Sequence, residues 1–586
     1  MRLGRTPIAL AAIGLVVIVV LIAAPLAGWP RVVRLPAILV PALLLALAVV
    51  PRGHWRDSPL LRPEWQPSRR LIWSAAAVIG GLLFWYVLTR FRSGEINAID
   101  FTIYYDRPCY QTVHGRPLFV ETSDTPGLSN RSELADHAYW GMLIVCAPYA
   151  VYPSPLWLHA ISVIAIVAGG LHVLRIAQRL GAGGALAGAT ALAFVLNDNT
   201  ARTLNYGFHP EVLYAWFIPW MIEAGLRGAS VSFLAAVLAS VLVKEDACLP
   251  IFAATVALAF NGFRTMTWPR RLLFLVLPNV IALASLGLYY GTVLPMLSAG
   301  SRPTYAHFWA NYGATPMAAL LGMLTHPGRV LQSTLTSGVF RTIQPHLFLP
   351  LLGWRWALGT LPIIALYGAS ANEQVRAFAI YYAIVVMPFF VIAASAGALT
   401  LARRLVPNVG HAQLAAAVVV LLGPLLVGSG HRGYSLRPWK TETAAVKDAL
   451  TQLGAEPKVL VQSGLFPHAG YDERFQLLTR ETLADPQNAG AVLLLARRIG
   501  AYPFFGAEMD RISRFPSAGA VPGGLLAVRV TPDGTEKVRK LQSKRERLRS
   551  SRLEWPSGRP RGRNRRSRNG PGDAAIPIVP PPGSLP

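Results

Sequence analysis

Apolar blocks of roughly twenty residues recur along this chain, separated by short basic loops. A bilayer leaves no water to satisfy backbone N–H and C=O groups, so continuous blocks of this length read as transmembrane helices. A membrane β-barrel would instead alternate apolar and polar residues. Composition agrees: 53% of the 586 residues are hydrophobic and 14% charged, where a soluble domain carries about a quarter charged residues. The expectation is an all-α polytopic membrane protein.

The blocks give about thirteen spans. They cover 8–28, 35–50, 71–89, 156–174, 184–197, 211–226, 231–243, 247–260, 271–290, two short Pro-rich stretches within 345–369, 377–397 and 412–429. The segment 141–152 is too short to cross and reads as re-entrant or interfacial. The basic start and apolar run at the amino terminus resemble a signal peptide, but a second apolar block follows at once and favours a retained first span. Basic loops at 51–70, 175–181, 261–271 and 401–407 all fall on the cytoplasmic side if the amino terminus is inside. Arg31 and Arg34 depart from this pattern, in a short outer loop. The localisation expected is a multi-pass plasma membrane protein with a cytoplasmic amino terminus and an extracytoplasmic carboxy terminus.

Three regions follow. Residues 1–430 form the transmembrane part, with a large outer loop at 90–140. Residues 431–530 alternate amphipathic helix with short apolar strands, as in "PKVLVQSG" and "AGAVLLLARR", and read as a small extracytoplasmic α/β domain. The Arg- and Pro-rich tail, 531–586, reads as disordered. About half of the net charge of +26 lies between Lys537 and Arg568. Such a tail is either simply solvated or a contact for anionic membrane lipids or wall polymers; nucleic acid is not an expected partner. Cys109, Cys146 and Cys248 lack metal-ligand spacing and read as free thiols, a Cys109–Cys146 bridge also being open.

"VLVKEDACLP" breaks an apolar run of roughly thirty residues with Lys244, Glu245 and Asp246. Charges inside a span are costly and usually functional. Parity places this triplet at the outer junction of two short helices, on the side of Asp100 and Asp106 and of "LNDNTARTLNYGFHPEV". Each element has a structural reading too. Charges cap helix ends, Pro210 and Glu211 suit the first turn of a helix, and Asp100 suits an N-cap. His209 has no such account. His137 opens an apolar segment as an interfacial anchor, and "AHFWANY" reads as an interfacial aromatic belt or a sugar platform.

Four stretches resemble an uncharacterised family of predicted membrane proteins, domain of unknown function 2079, within a layout similar to the GT-C superfamily of membrane glycosyltransferases. They are "IDFTIYYDRPCYQTVHGRPLF", "DHAYWGMLIVCAPYAVYPSPLWL", "NYGFHPEVL" and "LVKEDACL". Counted back from His114, Asp106 keeps the family spacing and Asp100 is displaced by one residue.

The resemblance implies an inverting transfer of sugar from a polyprenyl-phosphate donor to an extracytoplasmic acceptor. Asp100 is then the first candidate for general base and Asp106 the second. Lys244 is the main cation for the leaving phosphate, with Arg202 and Arg107 behind it. His137, His209 and Glu211 contact or orient substrate. Glu245 and Asp246 bind a divalent cation, Mg or Mn, or position Lys244. The rival readings are a transporter or flippase of a lipid-linked or anionic substrate, and a non-catalytic membrane scaffold.

Overall fold

The computed structural model describes residues 66–96, 99–121, 128–262, 266–298, 308–406, 408–427, 434, 436–499, 504 and 507–531. The two spans expected before residue 51 and the carboxy-terminal tail lie outside these residues. The chain divides into two compact units: one holds the helices up to Pro438, and the second combines Arg92–Ala98 with the chain from Trp439 onward.

The helical unit is built from α1 (Arg69–Arg92), α2 (Leu156–Arg179), α3 (Gly184–Val195), α4 (Asp198–Tyr206), α5 (Tyr214–Arg227), α6 (Ser230–Val241), α7 (Cys248–Gly262), α8 (Trp268–Ser298), α9 (Met387–Leu405) and α10 (Val409–Val427). Among the described residues, four of these are long and apolar enough to cross a membrane: α1, α2, α8 and α9. Helices α3 and α6 have 12 residues each. At 1.5 Å per residue that is about 18 Å, well short of the ~30 Å hydrocarbon core.

Small side chains allow α2, α3, α9 and α10 to pack closely. Their shared core holds Ala177, Ala187, Ala193, Ala394, Ala398, Ala412 and Ala416, with Leu174, Leu186 and Leu399 between them. Polar side chains in this core bond across helices: Thr190 Oγ1 donates to Ser395 Oγ at 2.8 Å, from α3 to α9. Without water as competitor, such contacts join van der Waals packing in holding membrane helices together.

Two stretches expected as loops carry structure. Residues 196–212 contain α4, because Asn197 caps it, its Oδ1 accepting from Asn199 N–H at 2.8 Å. The large loop opens with a π-helix, Ile99–Asp106, and runs into a short helix, Arg107–Val113. It then makes a two-stranded pair, β1 (Phe119–Val120) with β2 (Arg131–Ser132), and a 3-10 turn, Glu133–Ala135. Cys109 and Cys146 form a disulfide, so the free-thiol alternative holds only for Cys248.

The second unit contains a five-stranded sheet of β3 (Val459–Val461), β4 (Phe475–Leu477), β5 (Val492–Leu495), β6 (Ser517–Gly519) and β7 (Leu526–Arg529), in the order β4-β3-β5-β7-β6. β3 runs parallel to β4 and β5, while β7 is antiparallel to β5 and β6. Every residue of β3 and β5 is buried, which explains their unbroken Val/Leu runs.

Candidate functional site

The triplet Lys244-Glu245-Asp246 sits where α6 gives way to α7. α6 ends at Val241, Lys244 is extended, and Glu245–Ala247 make one 3-10 turn before Cys248. The segment carrying His137 is pinned against this junction by Gly141, whose N–H donates to the Leu242 carbonyl at 2.7 Å. A Cβ on residue 141 would meet that carbonyl oxygen at 2.9 Å, so only glycine allows the approach.

His209 arrives from the other side. Gly207, at φ 100°, ends α4, and His209 is extended ahead of the 3-10 turn Pro210–Leu213. Pro210 at the first position and Glu211 in the first turn suit that helix start.

These three segments and the π-helix join in one hydrogen-bonded chain. Lys244 Nζ donates to Glu211 Oε1 at 2.7 Å, and Glu211 Oε2 bonds His209 Nδ1. The other ring nitrogen, Nε2, lies 2.8 Å from the Tyr105 hydroxyl. Burial, reinforced by Lys244 and His137, pushes the His209 imidazole well below its ordinary value. A neutral ring next to a carboxylate donates from Nδ1, so Nε2 accepts the Tyr105 proton. The Tyr139 hydroxyl is 3.5 Å from that of Tyr105, and the Tyr381 ring stacks on His209 with centroids 3.5 Å apart. Tyr381 in turn donates to Tyr382 at 3.1 Å.

A second set of bonds holds the acids. Glu245 Oε1 is 2.8 Å from His137 Nδ1, and its Oε2 accepts from the Ala138 N–H at 2.9 Å. Burial alone would raise the Glu245 carboxyl; His137, Lys244 and the Ala138 amide outweigh it and bring it down to about 2. Asp246 Oδ1 accepts from Tyr214 at 3.0 Å. Its carboxyl is raised, chiefly by burial and then by Glu245, against the pull of Lys244. Burial opposes the Lys244 ammonium, yet Asp246 and Glu245 raise it above the ordinary lysine value. It stays charged.

Asp100, half-buried in the first turn of the π-helix, acts electrostatically on Tyr105, Glu133, Tyr381 and Tyr382. It therefore lies within electrostatic reach of this cluster. Asp106 is buried, and its Oδ1 accepts from the Tyr149 hydroxyl at 2.7 Å. With the Cys109–Cys146 bridge, that bond fastens the large loop to the segment beyond it. Arg202 pairs with Asp198, one turn back on α4, at 2.6 Å, and Arg107 pairs with Glu121 at 2.8 Å. Both arginines bind carboxylates of their own stretch, which their sequence positions alone did not suggest.

The two carboxylates expected to bind a metal are engaged by protein groups. Both oxygens of Glu245 hold His137 and Ala138, Asp246 holds Tyr214, and among the described residues no three His, Cys, Asp or Glu side chains are arranged around an ion. These carboxylates hold the segments together. The sequence also passed over Tyr105, Tyr139, Tyr381 and Tyr382, which line the cluster, and Glu133, which faces it. Aromatic residues at the edge of apolar blocks read as interfacial belts, and nothing local sets these four apart.

Residues 95–484 match the family described as "Predicted membrane protein (DUF2079)". The chain belongs to this family. Every residue of the cluster lies within the matched stretch of this DUF2079 protein. No curated protein matches it. Among solved structures, it is similar to ArnT from Cupriavidus metallidurans bound to undecaprenyl phosphate, at 11% identity and a TM-score of 0.40, over 79% of this chain and 98% of that one. The apo state of the same ArnT gives 12% identity and 0.42, over 80% and 99%.

Proposed function

We propose that this DUF2079 protein is a membrane glycosyltransferase. It takes a sugar from a polyprenyl-phosphate carrier and transfers it to an acceptor hydroxyl on the non-cytoplasmic side of the membrane. The observation that carries this reading is Lys244. Its ammonium is charged, its side chain is only 12% exposed, and among the described residues it donates to one acceptor, Glu211. Two N–H donors remain for an anionic ligand. A fixed cation in a water-poor site is what a departing phosphate requires.

In this reading Asp100 removes the proton from the acceptor hydroxyl. The acceptor oxygen forms a bond to the anomeric carbon as the bond from that carbon to the phosphate oxygen breaks. The electron pair leaves with the lipid phosphate, whose charge Lys244 neutralises. Glu211 aims Lys244, and neutral His209 holds Glu211 and Tyr105 in place. The Cys109–Cys146 disulfide supports the non-cytoplasmic assignment, because such bridges persist in oxidising compartments.

The test is reconstitution in proteoliposomes with a polyprenyl-phosphate sugar and an acceptor. Wild-type protein is expected to release lipid phosphate and glycosylate the acceptor, and Asp100→Asn to do neither. Movement of the intact lipid-linked sugar across the bilayer without transfer would instead establish the flippase reading.

A further inference from the structure

Glu133 is a buried acid to which neither the family resemblance nor the reaction above gives a task. Its backbone N–H donates to the Leu118 carbonyl at 2.8 Å, and Ser132 caps the turn it opens by accepting from Leu134 N–H at 3.3 Å. Its own carbonyl accepts from the N–H groups of Asp136 and His137, both at 3.0 Å. The turn that fixes Glu133 therefore also delivers His137 and Ala138 to Glu245.

The side chain is enclosed. Glu133 is 3% exposed, and its Oε2 is buried with no hydrogen-bond partner among the described residues. Ionisable groups act on it electrostatically from several elements: Asp136 from its own turn, Asp100 and Tyr105 from the π-helix, Tyr139 from the segment that follows, Lys244 and Glu245 from the α6–α7 junction, and Tyr289 from α8. One cation stands against three other carboxyl groups. An ionised Glu133 would be a fourth negative charge with an uncompensated buried oxygen, an arrangement proteins avoid by neutralising the acid.

A protonated carboxyl is a hydrogen-bond donor, and a buried donor needs an acceptor. Among the described residues the protein supplies none to Oε2. A phosphate oxygen held by Lys244 would supply one.

We propose that Glu133 carries a proton in the resting protein and donates it as a hydrogen bond to a phosphate oxygen of the bound polyprenyl phosphate. This rests on the lipid-phosphate reading above and adds to it a neutral acid alongside the cation. Burial, followed by Asp136, holds the Glu133 carboxyl well above the usual carboxylate range, in keeping with a neutral group. The same carboxyl, once ionised, would repel the phosphate, so lipid binding weakens as pH rises through its ionisation.

Infrared difference spectroscopy on the full chain in lipid nanodiscs tests this. Wild type is expected to show a protonated-carboxyl C=O band that Glu133→Gln lacks, and added polyprenyl phosphate is expected to shift that band to lower frequency. Inorganic phosphate is the control; a shift with it too still supports the phosphate contact. Absence of the band, or a band that moves with neither ligand, overturns the proposal. In binding titrations Glu133→Ala should weaken polyprenyl phosphate by roughly 10–100-fold, while Glu133→Gln, whose amide still donates, stays within a few-fold. Equal weakening in both overturns the donor role. If the band shifts with lipid while the protein transfers no sugar, Glu133 keeps its role and only the glycosyltransferase reading falls.

Discussion

His137 Nδ1 stands 2.8 Å from Glu245 Oε1, joining residues 108 positions apart and tying the large loop to the α6–α7 junction. With Lys244 and the Ala138 amide, the bond outweighs burial and holds the Glu245 carboxyl at about 2, against about 4.3 in an unfolded chain. A depressed carboxyl stabilises the folded state fully above the unfolded value and loses that contribution as pH falls through the folded one. We expect His137→Ala to melt below wild type at neutral pH, and the gap to narrow between about pH 4 and about pH 2. Thermal melts in detergent across that range measure it; a constant gap would mean the pair contributes no charge-dependent stability.

Asp100 and Asp106 should separate cleanly. Asp100→Asn is expected to lower turnover by roughly 10²- to 10⁴-fold with an unchanged melting temperature. Asp106→Ala removes the acceptor of the Tyr149 hydroxyl and should lower stability by about 1–3 kcal/mol. Turnover and melting measured side by side decide this; the reverse pattern would exchange the two roles.

Lys244→Met deletes the cation and leaves Glu211 with His209 as its remaining bonded neighbour in the chain described above. Turnover is expected to fall about 10²- to 10³-fold, the scale seen when one donor to a developing anion is lost. Affinity for polyprenyl phosphate should fall with it. Unchanged lipid binding would remove Lys244 from the phosphate site.

The Cys109–Cys146 bridge closes a separation of 37 residues. Loop-closure entropy at this length corresponds to about 4 kcal/mol. Cys109→Ser, or reduction of the wild type, should lower the melting temperature accordingly and loosen the π-helix that carries Asp100. Proteolysis of the loop in oxidised and reduced protein checks this.

Much of the site was legible because charge inside an apolar run has few explanations. Lys244, Glu245 and Asp246 announced themselves in that way, and His209 stood out beside a Pro and a Glu that a helix start already explained. Arg202 is misleading in sequence because its stretch reads as loop; in α4 it pairs with Asp198 one turn back. Family spacing favours Asp106 over Asp100, yet Asp106 is buried and bonded to Tyr149, while Asp100 is only half-buried. Glu133 follows a serine at a turn, where an acid is ordinary, and only the surrounding carboxylates make it unusual. The short, interrupted helices between Val339 and Gly368 had shown only as Pro-rich stretches.

The Arg92 carbonyl accepts from Lys440 N–H at 3.2 Å and from Thr443 Oγ1 at 2.6 Å, while its guanidinium covers the Trp439 ring at 4.1 Å. The sheet-bearing unit is thus made from two distant pieces of polypeptide, one of them the few residues directly ahead of Asp100. Cutting the gene after the last membrane helix would not subtract a separate module. It would strip the partners from a stretch eight positions upstream of the proposed base, so a dead truncation could not by itself assign the chemistry to the missing part.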